Sequence, residues 1–135
     1  MNVQAKDIAE IMGGKQVLGR EVRDFADLDA VVEAGLPVAV VETLRQHLGS
    51  ALGSSSKRIL SARMPSRNRS RVIERIARMF AASERTFGSE DGAREFLLAP
   101  HARLGGKRPI DCVETELAFK QVEQILESIT FGLPA

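Results

Sequence analysis

A chain of 135 residues fits one domain or two small ones sharing a core, and with six Phe, no Trp and no Tyr that core must be built from aliphatic residues and Ala. One Cys and two His exclude a disulfide framework and a Cys/His zinc cage. The net charge of +1 conceals a division: residues 57–85 hold nine basic and two acidic residues, net +7, between flanks that are each net −3. The aliphatic composition favours helices over a β-sandwich. No apolar run approaches bilayer length, and the N-terminal MNVQAKDIAEIMGG lacks the basic-then-apolar layout of a signal peptide, so a soluble cytoplasmic protein without membrane contact is expected. The central positive block has the footprint of a polyanion partner; the competing reading is a solvated helix face.

In chain order, residues 4–12 (QAKDIAEIM) predict a short helix ended by Gly13-Gly14. Asp24 reads as the N-cap of a helix running to Ala34, with Leu28, Val31 and Val32 on one face and Gly35 as its stop. Pro37 then opens a helix with Val41, Leu44 and Leu48 inward, ending at Gly49. Residues 49–56 (GSALGSSS) read either as a Gly/Ser linker or as part of a reduced helix-turn-helix.

The clearest long helix runs from Ser66 to Thr86, with Val72, Ile73, Ile76, Met79, Phe80 and Phe87 recurring at helical spacing. At about 100° per residue, Arg67, Arg71, Arg75, Arg78 and Arg85 fall within roughly an 80° sector of another face. Such a stripe suits a phosphate backbone or an acidic partner; the plainer reading is solubility with i,i+4 pairing such as Glu74 with Arg78. Ser89-Glu90-Asp91 supplies the cap and acidic first turn of a helix carrying Ala93, Phe96 and Leu97 to Pro100.

Leu104-Gly105-Gly106-Lys107-Arg108-Pro109 then interrupts the helical pattern. Gly-Gly admits positive φ, and Pro109 suits the first position of a new helical turn over 109–113. Thr115 is placed to cap a last helix with Ala118, Val122, Ile125 and Ile129 inward, ending at Phe131-Gly132.

Recognisable catalytic spacing is missing. Gly105-Gly106-Lys107 lacks both the upstream Gly and the following Ser/Thr of a phosphate loop. His47 and His101 have no Asp or Cys at a catalytic spacing and read as surface or capping residues. Cys112, between Asp111 and Val113 and close to Ile110, reads as a buried inert thiol. The expectation is a non-enzymatic protein with no cofactor and no metal.

The segment Phe96-Leu97, Pro100, Leu104 to Asp111, Thr115-Glu116 and Ile129-Thr130-Phe131-Gly132 resembles the toxin-binding domain of Xre/MbcA/ParS-type antitoxins. It departs at His101, where Asn is usual, and at Ala118, where Gly is usual. A weaker similarity extends upstream through Phe80–Gly88 and Gly35-Leu36-Pro37. The resemblance implies an antitoxin whose partner is a RES-domain toxin that degrades NAD or transfers its ADP-ribose, neutralised by occlusion of its NAD cleft. The implied contact residues are Leu104, Gly105, Gly106, Lys107, Arg108 and Pro109 at the turn and Phe131, Gly132, Leu133 and Pro134 at the end. Antitoxins of this kind carry a helix-turn-helix whose recognition helix resembles residues 52–63. Ser54 or Ser55 would cap it, and Lys57, Arg58 and Arg63, followed by Arg67 and Arg71, would face operator DNA. The helix that should brace it is nearly absent between Leu48 and Leu52.

The resulting expectation is an all-α protein. An N-terminal helical part with a reduced helix-turn-helix (1–65) precedes a long basic helix and the C-terminal toxin-binding part (66–135). Operator binding, autoregulation and homodimerisation are implied by the resemblance. A stand-alone helix-turn-helix regulator of transcription is the competing function, supported by the +7 block.

Overall fold

The computed structural model describes residues 3–49 and 66–132, and among these the chain is all helical, without a strand. In order, α1 (Ala5–Ile11), α2 (Gly14–Leu18), α3 (Phe25–Ala34) and α4 (Ala39–Leu48) precede the long α5 (Ser66–Phe87). Then come α6 (Glu90–Leu98), two 3-10 turns (Ala102–Leu104 and Pro109–Asp111) and α7 (Glu116–Thr130).

Capping chemistry explains the boundaries. Asp24, Ser89 and Thr115 each accept a hydrogen bond from the backbone N–H three residues on, satisfying a donor that the first helical turn leaves orphaned. At α1, the Asp7 carboxylate reaches back to the Gln4 N–H at 3.2 Å.

Three boundary expectations change. Gly13 and Gly14 do not only end α1: with φ of 115° and 67° they turn the chain directly into α2, a five-residue helix too short to leave a periodic signal. Helix α4 starts at Ala39, because Pro37 instead uses its carbonyl to accept the Val40 N–H at 3.1 Å in the lead-in turn. The buried face of α7 is Phe119, Val122, Ile125 and Leu126, rotated from the expected stripe so that Ala118 and Ile129 are only partly covered.

Helix α5 organises the molecule. Its 22 residues span about 33 Å. It packs against α1, α3, α4, α6 and α7. Val72, Ile73, Ile76, Met79 and Phe80 are each at most 3% exposed. They join Ile8, Met12, Leu44 and Leu48 from one side and Leu97, Ile110, Phe119 and Ile125 from the other in one continuous cluster. Phe87, expected in this core, is 38% exposed. Ser70, 1% exposed, is reconciled with burial by accepting the Leu36 N–H at 2.9 Å, which ties α5 to the α3–α4 connection.

Charge segregation along the sequence becomes pairing in space. Arg67 and Arg71 meet Glu33 at 2.9 and 3.3 Å, Arg75 meets Glu116 at 2.9 Å, and Arg85 approaches Asp7 at 3.8 Å. Arg78 makes the expected i,i+4 pair with Glu74, bidentate at 2.9 and 2.6 Å, and lies 4.7 Å from the centre of the Phe119 ring. Burial disfavours the Arg78 charge, yet the bonds to Glu74 and the nearby Glu116 hold its pKa above the ordinary value. The basic helix thus stitches together the acidic segments on either side of it.

Candidate functional site

The backbone between α6 and the second 3-10 turn closes on itself. The His101 N–H donates to the Lys107 carbonyl at 3.0 Å, while the His101 carbonyl accepts from Leu104 N and Gly106 N, both at 3.0 Å. Gly105 and Gly106 take φ of 66° and 85°, and a Cβ added at either would meet nothing within 4 Å. Glycine is needed there for backbone conformation, and the space over both residues is open.

His101 is the hinge of this loop. Its Nδ1 accepts the Arg103 N–H at 3.1 Å, the i,i+2 bond that an Asn side chain makes in an Asx-turn. Acceptance at Nδ1 puts the proton of the neutral ring on Nε2. Its capping expectation therefore holds, and the departure from Asn preserves the turn. The ring also meets Phe96 edge-on at 6.2 Å, and Phe96 lies 5.2 Å from Phe87, so an aromatic row runs from the end of α5 to the loop.

The loop and the last turn of α7 are joined beside the expected contact residues. Arg103 Nη1 donates to Ser128 Oγ at 3.4 Å, and Ser128 Oγ in turn donates to the Gln124 carbonyl at 2.9 Å, joining the loop to the last turns of α7. Thr86 and Thr130 lie 3.3 Å apart through their hydroxyls, bringing the end of α5 beside the end of α7. Phe131 is 73% exposed.

The named contact residues divide by environment. Gly105, Gly106, Lys107, Phe131 and Gly132 are exposed. Leu104 (5% exposed) and Pro109 are buried, so they anchor the loop in the core rather than present it. Arg108 is engaged within the chain by a bidentate pair with Asp111 at 2.8 and 3.0 Å, which raises its pKa further. Leu133 and Pro134 lie outside the described residues, as do Ser55, Lys57, Arg58 and Arg63. Of the expected DNA-contacting residues, Arg67 and Arg71 are described, and both pair with Glu33.

Sequence reasoning passed over Arg103, Phe87 as a surface residue, and Ser128. It also missed the surroundings of His47. That ring lies 5.2 Å from Phe80 and bonds through Nδ1 to Glu90 at 2.8 Å, while Arg94 donates to the His47 carbonyl at 2.8 Å. These contacts fasten the end of α4 to α6. Cys112 is buried as expected, and burial pushes its thiol pKa up, away from nucleophilic character.

Among the described residues, no group of His, Cys, Asp and Glu side chains could hold a metal ion, and no helix is long and apolar enough to cross a membrane. The site therefore consists of a closed, glycine-topped loop and an exposed aromatic helix end on one edge of the bundle. No curated protein matches the chain. Residues 82–132, from within α5 to the end of α7, match the antitoxin Xre/MbcA/ParS C-terminal toxin-binding domain, which supports a toxin-neutralising antitoxin role with a toxin as partner.

Proposed function

We propose that this protein neutralises a RES-domain, NAD-consuming or ADP-ribosylating toxin by covering its NAD cleft with the edge formed by the His101–Lys107 loop and the end of α7. The observation that carries this reading is the joining of loop and helix end through Arg103 and Ser128 inside the matched region. A preformed edge loses little conformational entropy on binding, and an exposed Phe131 supplies an apolar anchor. In this reading Phe131, Gly132, Leu133 and Pro134 enter or cap the cleft, Gly105–Lys107 rest on its rim, and neutralisation is steric. The chain itself carries out no chemistry.

The test is co-expression with a RES-domain toxin, with growth and cellular NAD as readouts. The full chain restores both; a chain ending at Ile129 folds but restores neither. Rescue by that truncated chain would rule out occlusion by the helix end.

The same reading assigns operator binding and autoregulation, as a homodimer, to Ser55, Lys57, Arg58 and Arg63 with Arg67 and Arg71. The Arg67 and Arg71 side chains are 69% and 47% exposed, and solvent screening leaves exposed pairs such as theirs with Glu33 weak enough for phosphates to displace. Gel shifts on the upstream region, repeated across a salt series, check this. Binding should weaken steeply with salt.

A further inference from the structure

We infer that Arg103 and Lys107, not Arg108, form the cationic clamp of the loop, and that it grips an acidic patch on the surface of the protein partner. This rests on the toxin-binding reading above and specifies the chemistry of the surface that the partner must offer.

Arginines of this protein are mostly consumed by its own carboxylates. Arg20, Arg23, Arg45, Arg67, Arg71, Arg75, Arg78, Arg85, Arg94 and Arg108 all have one within salt-bridge reach. Among the described residues, Arg103 and Arg69 are the arginines without such a partner, and Arg69 lies near the start of α5, far along the chain from the loop. Lys107 is exposed and likewise has no carboxylate partner among the described residues.

Arg103 is also held in place. Its N–H is fixed by His101 Nδ1, and one guanidinium N–H by Ser128 Oγ. A guanidinium has five N–H donors, so most remain for a partner, in a fork that matches a carboxylate. The His101–Lys107 backbone bond closes the loop that carries both cations, with the open face of Gly105-Gly106 between them in sequence. A tethered guanidinium and an exposed ammonium without carboxylate partners among the described residues, carried on a closed backbone loop, gain most from an acidic partner surface, which also speeds the encounter. The surroundings favour a protein over a nucleic acid. Exposed Phe131 and the Phe87–Phe96 row suit apolar burial against a protein surface.

The experiment measures binding of the full chain to the proposed RES-domain toxin in catalytically inactive form, at low and moderate salt, with circular dichroism as the check on folding. R103E and K107E should each weaken binding by about tenfold or more and flatten its salt dependence, while R108Q, even if less stable, stays within about threefold of the wild type. R103Q and K107Q, which remove charge without reversing it, give smaller losses in the same order. The inference is overturned if R103E and K107E bind like the wild type, or if R108Q alone loses affinity. It is also overturned if the two reversals abolish binding to duplex DNA and spare the toxin. Wild-type binding to the toxin with no effect of the reversals leaves the toxin-binding reading standing; failure of the wild type to bind removes both.

Discussion

Arg75, midway along the central helix, donates from Nη1 to the carbonyl of Val113 at 3.0 Å, reaching 38 residues ahead in the chain. The same nitrogen lies 3.2 Å from the Glu114 carbonyl, and Nε bonds Glu116 at 2.9 Å, with the side chain only 11% exposed. One guanidinium therefore secures the segment that leads from the second 3-10 turn into α7. Arg75→Ala would take the donor from the part-buried Val113 carbonyl and remove a charge-assisted bond, for a loss of roughly 2–4 kcal/mol in denaturant unfolding. Arg75→Lys should recover only part of this, since an ammonium cannot reproduce the fork.

The region matched to the toxin-binding domain is not expected to fold alone. Residues 82–132 include α6 and α7 but exclude Val72, Ile73, Ile76, Met79 and Phe80, which form the floor they pack on. A fragment of residues 82–135 should show little helical signal and no cooperative thermal transition, whereas the full chain unfolds cooperatively. A cooperative transition in the fragment would show that α6 and α7 carry a sufficient core of their own.

How much was legible follows from the range of each interaction. The caps at Asp24, Ser89 and Thr115 act over three residues and could be read directly, as could the Glu74–Arg78 pair and the apolar face of α5. The stripe of arginines could be seen, but not its partners: Glu33 and Asp7 precede α5, and Glu116 follows it by a whole helix and two turns. The resemblance counts Arg108 among the contact residues, yet Asp111 stands three residues away and pairs with it, a local signal present in the sequence. Arg103 gave no signal in the sequence, because the lack of a carboxylate near it among the described residues shows only in the fold. The helix α2 was lost because two consecutive glycines read as a stop rather than a bend.

His101 offers a test of whether the loop is held by one acceptor atom. His101→Ala removes the bond from Nδ1 to the Arg103 N–H and the edge contact with Phe96, and should cost about 0.5–1.5 kcal/mol. His101→Asn places an amide oxygen two residues before the same N–H and should restore most of that loss. Chemical shifts of the Arg103 and Gly106 amides should move in the Ala variant and return toward the wild type in the Asn variant.

Acid titration should separate two classes of carboxylate. Hydrogen bonds from the Arg23 backbone N–H and then its side chain lower the Asp27 pKa, and those from Arg67 and Arg71 lower that of Glu33. Each folded-state pKa lies below its unfolded value, so the unfolded chain binds a proton first as pH falls. Their stabilisation is complete above the ordinary carboxylate range, about pH 4, and is lost on further acidification through the depressed values. Glu123 is the opposite case. Burial raises its pKa, with Arg78 only partly countering, so at neutral pH its charge opposes folding, and the penalty disappears as pH falls through the raised value toward the ordinary one. Glu123→Gln should therefore raise Tm at pH 7, with the gain shrinking to nothing by about pH 4. Asp27→Asn and Glu33→Gln should lower Tm at pH 7 and flatten the loss of stability below about pH 4. A Glu123→Gln variant less stable than the wild type at pH 7 would mean that attraction to Arg78 outweighs the cost of burying the charge.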